Sequence, residues 1–175
     1  SRRQRQMCIR DSTGRSGEAL EEYKKLMLKL NNEVVAAAPE DLLINTHVCR
    51  GNYHSTFFSS GAYDSVADLL FGEENVNAYY LEYDDERSGG FAPLAKVSGD
   101  KKVVLGLVTT KTPALENKEL VINRIHEAAK YVPLDRLYLS PQCGFASCAI
   151  GNKLTEEEQW AKLQLVKEIA EEVWG

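Results

Sequence analysis

At 175 residues and 43% apolar content, the chain has the size of one domain and enough apolar material to bury a core. Its longest apolar candidates, VVLGLV at 103–108 and AYYL at 78–81, fall far short of the ~20 residues a membrane span needs, which points to a soluble protein and no membrane partner. The formal charge of −5 is mixed over helix surfaces with no basic stripe, so nucleic acid is excluded as an expected partner.

The four cysteines, Cys8, Cys49, Cys143 and Cys148, are too few and too irregularly spaced for a secreted disulfide framework. No signal-type apolar segment opens the chain. The expected compartment is a reducing cytoplasm, where a cysteine near a histidine is more often a metal or catalytic residue than half of a disulfide.

Residues 1–12, SRRQRQMCIRDS, carry four arginines and no apolar periodicity, so they read as a disordered, basic start. They also resemble translated sequencing-adapter DNA, and are set aside as non-native, Cys8 included; the natural protein is expected to continue upstream. The domain then runs over 13–175. From Ser16 the spacing of Leu20, Tyr23, Met27, Leu30 and Val34 predicts an amphipathic helix ending near Ala38, before Pro39. A strand, LLIN at 42–45, and a loop, THVCRGNYHSTFFSSGAY, follow. A second helix is expected at roughly 62–71, a strand at 77–83, the loop DDERSGG, and a weak helical stretch near 91–97.

The almost wholly apolar KVVLGLV at 102–108 reads as a strand buried on both faces, as parallel strands are. The loop TTKTPALE opens a helix with Val121, Ile125, Ala128 and Val132 on its apolar side. A fourth strand, 136–140, precedes the loop PQCGFASCAIGNKL. The last helix starts at Thr155 with a capping box to Glu158 and an expected buried stripe of Trp160, Leu163, Val166, Ala170 and Val173. Strands alternating with helices at this spacing give a parallel α/β sheet, whose working residues gather at the carboxyl ends of the strands.

Those ends carry a coherent chemistry. The first has His47 and Cys49, the second Glu82, the third Thr109, Thr110 and Lys111, and the fourth is followed by Cys143. His, Cys, Glu and Cys suit tetrahedral zinc, and two thiolates make the set soft enough to accept a further sulfur. Each residue alone has a plainer reading. Cys143 reads as a small buried apolar residue. Glu82 reads as an ion-pair partner of Arg50 or Arg87, Cys148 as structural, and His54 and His126 as loop and helix-surface residues. The convergence on one edge favours the site.

The segments HVCRGN at 47–52, YLEYDDERSG at 80–89, GLVTTKTPALE at 106–116 and SPQCGFAS at 140–147 resemble the catalytic C-terminal half of cobalamin-independent methionine synthase, nearest to its short, single-barrel bacterial relatives. The resemblance covers roughly 17–175. It implies a (βα)8 barrel, of which this chain supplies the last four strands with their flanking helices and lacks the N-terminal half. It also implies one Zn2+ held by His47, Cys49, Glu82 and Cys143, and transfer of a methyl group to the thiol of homocysteine to form methionine, with Glu82 the ligand that yields to the incoming sulfur.

Where the long synthases carry a histidine serving in proton transfer to the donor, this chain has Lys111. The donor therefore stands open between a methyl-folate and a corrinoid carrier. Asp84, Asp85 and Arg87 are candidates for substrate contact, against a solvated charged loop. Two other functions stay in view: another zinc-dependent thiol alkyltransferase of the same superfamily, acting on coenzyme M or a corrinoid protein, and a catalytically silent zinc-binding fragment.

Overall fold

The structure is a computed structural model and describes residues 14–175; the expectation for residues 1–12, with Cys8, lies outside the described residues. Helix α1 (Gly17–Ala36) leads to strand β1 (Asn45–Val48). A 3-10 turn and the short helix α2 (Ala67–Glu73) precede β2 (Ala78–Glu82). A 3-10 stretch at Ala92–Lys96 then leads to β3 (Lys102–Val108), helix α3 (Lys118–Ala128), β4 (Leu137–Pro141) and helix α4 (Glu156–Trp174). All three strand pairings are parallel and the sheet order is β1-β2-β3-β4. These are the four consecutive strands and flanking helices expected of half a (βα)8 barrel, with successive strands adjacent and helices covering one face.

Alternation along the strands sorts the residues. Thr46 and Val48 of β1, Tyr79 and Leu81 of β2, Val103, Leu105 and Leu107 of β3 and Leu137 of β4 are buried toward the helices. There they meet Leu70 and Phe71 of α2, Val121 and Ile125 of α3, and Leu165 and Ile169 of α4 in one core. The opposite face carries Asn45, His47, Tyr80, Glu82, Lys102, Val104, Gly106, Tyr138 and Ser140. Toward the amino ends of the strands, that face opens on a cavity of about 430 Å³ lined by Asn45, Ala78, Tyr80, Lys102, Val104 and Tyr138.

Four expectations need correction. The first strand is not LLIN: Leu42 and Leu43 are exposed, and pairing begins only at Asn45, where Ala78 stands opposite. His47 therefore lies inside the strand rather than in the loop behind it. The second helix is a 3-10 turn at Tyr63–Ser65 followed by α2, because Val66 breaks from helical geometry with φ −127°.

On α1, the second half of the predicted stripe is turned outward: Leu20, Tyr23 and Met27 are half-buried, but Leu30 and Val34 are exposed and Leu28 is the buried residue. Polar anchors set that rotation: Lys24 Nζ donates to Ser65 O at 2.9 Å, Asn32 Nδ2 to Glu73 O at 2.9 Å, and Asn75 N–H to Asn32 Oδ1 at 2.9 Å. On α4, the capping box between Thr155 and Glu158 forms as expected, but the buried stripe is Lys162, Leu165 and Ile169, and Trp160 is exposed. The fully buried Lys162 lays its alkyl stem in the core and binds the Glu116 carboxylate at 3.0 Å and Ala114 O at 2.7 Å. Hydropathy places a lysine outside; a carboxylate waiting under the helix turns it in.

Candidate metal centre

The parallel register brings the predicted residues to one level. His47 stands opposite Tyr80 and Val48 opposite Leu81, so Cys49, one residue past β1, comes level with Glu82 at the end of β2. Glu82 faces Gly106 of β3, and Gly106 faces Ser140 of β4. Gly106 leaves this layer open. A Cβ there would lie 2.7 Å from Leu81 O and 3.1 Å from Gln142 Cα, so only glycine lets the chain after β4 fold over β3. That fold-over brings Cys143 to the other three. Gly51, at φ +102°, makes the turn after Cys49, where a Cβ would meet Phe58 N at 2.7 Å, and its N–H donates to Cys49 Sγ at 3.2 Å.

One ligand atom from each of His47, Cys49, Glu82 and Cys143 lies within 4.8 Å of all the others. Cys49 Sγ is 3.4 Å from Cys143 Sγ, Cys143 Sγ is 3.4 Å from His47 Nε2, and His47 Nε2 is 3.8 Å from Glu82 Oε1. Ligands bound at ~2.0–2.3 Å in a tetrahedron stand roughly 3.3–3.8 Å apart, so these three edges match the donor spacing of a metal ion, and a fourth has to open as the metal enters. The one shorter edge, 2.6 Å between Cys143 Sγ and Glu82 Oε1, is a thiol donating to a carboxylate. Two sulfurs, one imidazole nitrogen and one carboxylate oxygen are a set that could hold a metal.

Protonation follows from this crowding. The hydrogen bond from Cys143 lowers the Cys49 thiol far enough to leave it a thiolate against the opposing effect of burial, with His47 and the Gly51 N–H adding to it. The same bond to Cys49, with burial and the Glu82 charge, pushes Cys143 up, so one proton stays on the pair. Burial works against a charged His47, but the hydrogen bond and charge of Cys49 and the charge of Glu82 outweigh it and raise its pKa. Glu82, fully buried, is raised chiefly by that burial.

Beside the donors opens a cavity of about 660 Å³, lined by His47, Cys49, Cys143 and Cys148 and walled by the loop residues Tyr53, Phe57 and Phe58. Cys148, read as structural, is thus a wall residue. The loop tip, with His54 at φ 45° and Ser55 at φ 65°, is tied to the β4–α4 connection. His54 Nδ1 lies 3.2 Å from Gly151 O, Ser55 N–H donates to Asn152 Oδ1 at 3.0 Å, and Asn52 Nδ2 donates to Gly144 O at 2.9 Å. The exposed His126 lies on α3 as expected.

Lys111 is buried and donates from Nζ to Gln142 Oε1 at 2.5 Å, one residue before Cys143, so it stands beside the four donors rather than among them. Its loop is held by Glu116, whose Oε1 accepts from Thr109 N–H at 2.9 Å while Lys162 binds the same carboxylate. Asp84 has a side chain only 1% exposed; its two oxygens accept no hydrogen bond, and Arg87 Nη2 lies 3.7 Å from Oδ2. Burial first raises its pKa against the nearby Thr109 hydroxyl, which favours the charged form across a distance longer than an ordinary hydrogen bond; the Asp85 charge adds to the rise and Lys111 and Arg87 oppose it. Arg87 also binds Asp85 and lies 3.9 Å over the ring of Phe57, on the cavity wall.

Two residues were not singled out in sequence. Tyr63 donates to Glu82 O and accepts from Glu82 N–H, and Gln142 links Lys111 and Thr110 to the cysteine segment. The Pro-Gln-Cys-Gly run marked Gln142 only as a neighbour of Cys143, and nothing in the local pattern marked Tyr63.

The sequence model described as "Cobalamin-independent synthase, Catalytic domain" matches residues 21–172. The protein YxjG of Bacillus subtilis (strain 168) is 52% identical over 159 residues, covering 90% of this chain and 42% of that protein. The structure of a putative vitamin-B12 independent methionine synthase from Listeria monocytogenes superposes with a TM-score of 0.69 at 41% identity, covering 93% of this chain and 43% of that one. A B12-independent methionine synthase from Shewanella sp. W3-18-1, solved in complex with selenomethionine, shares the fold with a TM-score of 0.69 at 22% identity, over 87% of this chain and 44% of that one. The chain thus spans about two fifths of the length of the relatives it matches. With that profile running over most of its length, the chain belongs to the catalytic-domain family of the cobalamin-independent synthases.

Proposed function

We propose that the protein transfers a methyl group to the thiol of homocysteine, forming methionine, with one zinc ion held by His47, Cys49, Glu82 and Cys143. The observation that carries this reading is the convergence of two sulfurs, one nitrogen and one oxygen within 4.8 Å at the carboxyl edge of the sheet. Bound zinc supplies the positive charge that keeps a substrate thiol in its nucleophilic thiolate form at neutral pH. In the displacement, that sulfur forms a bond to the methyl carbon while the bond from methyl to its carrier breaks, and the carrier leaves with the electron pair. Glu82, the hardest of the four donors, is the residue that yields its place to substrate sulfur.

Lys111, held by Gln142 next to Cys143 in the chain, is the cation on the donor side, suited to a leaving group that becomes basic on losing its methyl group. The buried carboxylate of Asp84, which faces Thr109 and Arg87, suits the substrate ammonium, and Arg87 suits its carboxylate. The methyl donor is a methyl-folate or a corrinoid carrier, and the reaction belongs in the cytoplasm. A longer chain closing the barrel completes the substrate pocket, so the 175 residues alone are expected to be inactive. A second reading, alkyl transfer to coenzyme M or through a corrinoid protein, draws on the lysine in place of the long synthases' histidine.

The test is made on the complete gene product. It is expected to carry about one zinc per chain, to lose it in both Cys49→Ser and Cys143→Ser, and to form methionine from homocysteine with either methyl-tetrahydrofolate or methylcobalamin. Unchanged metal content in both variants would sink the metal assignment. Methyl transfer to coenzyme M in place of homocysteine would favour the second reading.

A further inference from the structure

Arg50 is only 1% exposed, and nothing in a four-donor metal set calls for a buried guanidinium beside it. Its Nε and Nη2 donate to Gly61 O at 3.1 and 2.8 Å, and its Nη1 donates to Tyr63 OH and to the Glu82 carbonyl, both at 3.0 Å. The guanidinium carbon lies 4.3 Å over the Tyr63 ring. All these partners are neutral. Of the five N–H groups an arginine carries, these bonds occupy four, including both of Nη1, and the fifth is on Nη2. Among the described residues the ion-pair partner of Arg50 is Glu82, whose Oε2 lies 4.0 Å from Nη1, beyond hydrogen-bond reach. That Oε2 is buried with no hydrogen bond of ordinary length, although the neutral Gln142 side chain also faces the carboxylate, while Oε1 takes the Arg50 backbone N–H at 2.9 Å and the Cys143 thiol. The two opposite charges thus sit about one ångström beyond a hydrogen bond, with both Nη1 N–H groups given to neutral oxygens that a carboxylate can displace.

We propose that Arg50, braced by Tyr63, is the positioning residue that receives the Glu82 carboxylate when Glu82 gives up its place on the metal to substrate sulfur. This rests on the zinc and homocysteine reading above. The charge balance requires such a partner. As the substrate thiol releases its proton to water, one anion joins the donor set and one leaves it, so the set keeps its charge and a carboxylate is stranded in a fully buried place. An unpaired buried carboxylate is strongly disfavoured, which would drive Glu82 back to the metal and expel the substrate.

A shift of roughly 1 Å toward Arg50 turns the 4.0 Å separation into a charge-assisted hydrogen bond of about 2.8–2.9 Å, the carboxylate taking the Nη1 N–H now given to Tyr63 OH. The main chain of Glu82 need not follow. Its N–H is held by Tyr63 OH at 2.8 Å and its carbonyl by Arg50 and Tyr63, so the movement is confined to the side chain. Arg50 thereby makes both states of one carboxylate tolerable.

The first test is a crystal structure of the complete, zinc-loaded protein with homocysteine. Sulfur on the metal and the Glu82 carboxylate hydrogen-bonded to the Arg50 guanidinium is the expected result. Sulfur on the metal with Glu82 still ligating, or turned to another partner, overturns the role of Arg50 alone. No sulfur on the metal at saturating homocysteine overturns the functional reading and this inference with it.

The second test titrates the cobalt-substituted protein with homocysteine by absorption. Arg50→Met is expected to weaken homocysteine binding at least about tenfold with metal content retained, Arg50→Lys by no more than about threefold, and Arg50→Met in a Glu82→Gln background not at all. A merely structural arginine would weaken binding equally in both backgrounds, and that result overturns the proposal. If Arg50→Met does not fold, the lysine variant is read in the two backgrounds in its place, with a loss confined to the Glu82 background as support and an equal loss in both as refutation.

Discussion

The two faces of one four-stranded sheet have been given opposite tasks. On the helix side, Tyr79, Leu81, Val103, Leu105 and Leu107 are buried in a contiguous apolar core, and rings such as Tyr63 and Phe71 pack at 5.7 Å between centroids. On the other side, the same strands carry His47, Glu82 and Gly106 at their carboxyl ends and Tyr80, Lys102 and Tyr138 nearer their amino ends. The core face is satisfied by packing, which any residues of the right volume can supply. The other face holds a carboxylate oxygen without a hydrogen bond of ordinary length, two cysteine sulfurs 3.4 Å apart and a glycine where a Cβ would crowd the neighbouring backbone. The packed core lies on one face and the donor cluster on the other, one residue apart along each strand.

Substitutions sharpen this contrast. The largest stability effect is expected from Leu105→Ala, which removes a fully buried side chain from the core face and should cost about 2–5 kcal/mol in denaturant unfolding of the complete protein. Metal content per folded molecule should not change. A variant that lost metal in its folded fraction would break the separation of the faces.

Gly106→Ala, one residue away on the other face, should behave in reverse. The added methyl meets Leu81 O and Gln142 Cα, costing about 1–3 kcal/mol, and it pushes the segment of Cys143 off the other donors. Metal affinity should therefore fall by more than stability does, as measured by competition with a chelator. Equal losses would mean that Gly106 serves only the sheet.

A pH series comes next in size. The hydrogen bond to Cys49 and burial raise the Cys143 thiol, so it keeps its proton at neutral pH and an entering metal has to displace it. A raised thiol pKa means that the proton competes more strongly as pH falls. Metal affinity should therefore rise with pH, by about tenfold per unit for each proton released, between about pH 6 and about pH 8. An affinity flat in pH would show that the pair carries no proton to lose.

The smallest effect is expected from Tyr80→Ser. Tyr80 is 40% exposed, so in the 175-residue chain the change should stay within about 0.5 kcal/mol. In a longer chain that closes the barrel, the same substitution should cost clearly more. An equal cost in both would argue that this face stays open.

The family segments at 47–52, 80–89, 106–116 and 140–147 were legible because they are local strings, and so were β3, α3 and the Thr155 capping box, where periodicity and cap chemistry agree with tertiary packing. The rotations of α1 and α4 were not. Hydropathy gave Leu30, Val34 and Trp160 to the core, whereas Asn32 and Lys24 turn one helix and the Glu116 carboxylate draws Lys162 under the other. The start of β1 was missed because LLIN has strand-forming residues but no partner opposite; pairing with Ala78 decides where a strand begins.

The sequence by itself determined the order of strands and helices and the four chemical types at the carboxyl edge, because both are carried by residue identity and short-range spacing. Only the tertiary structure decided that Cys49 lies level with Glu82, that Gly106 makes room for Cys143, and that Arg50 is buried behind the carboxylate with Tyr63 across it. Those facts depend on strand register and on contacts between residues 13 to 94 positions apart, which no local pattern encodes.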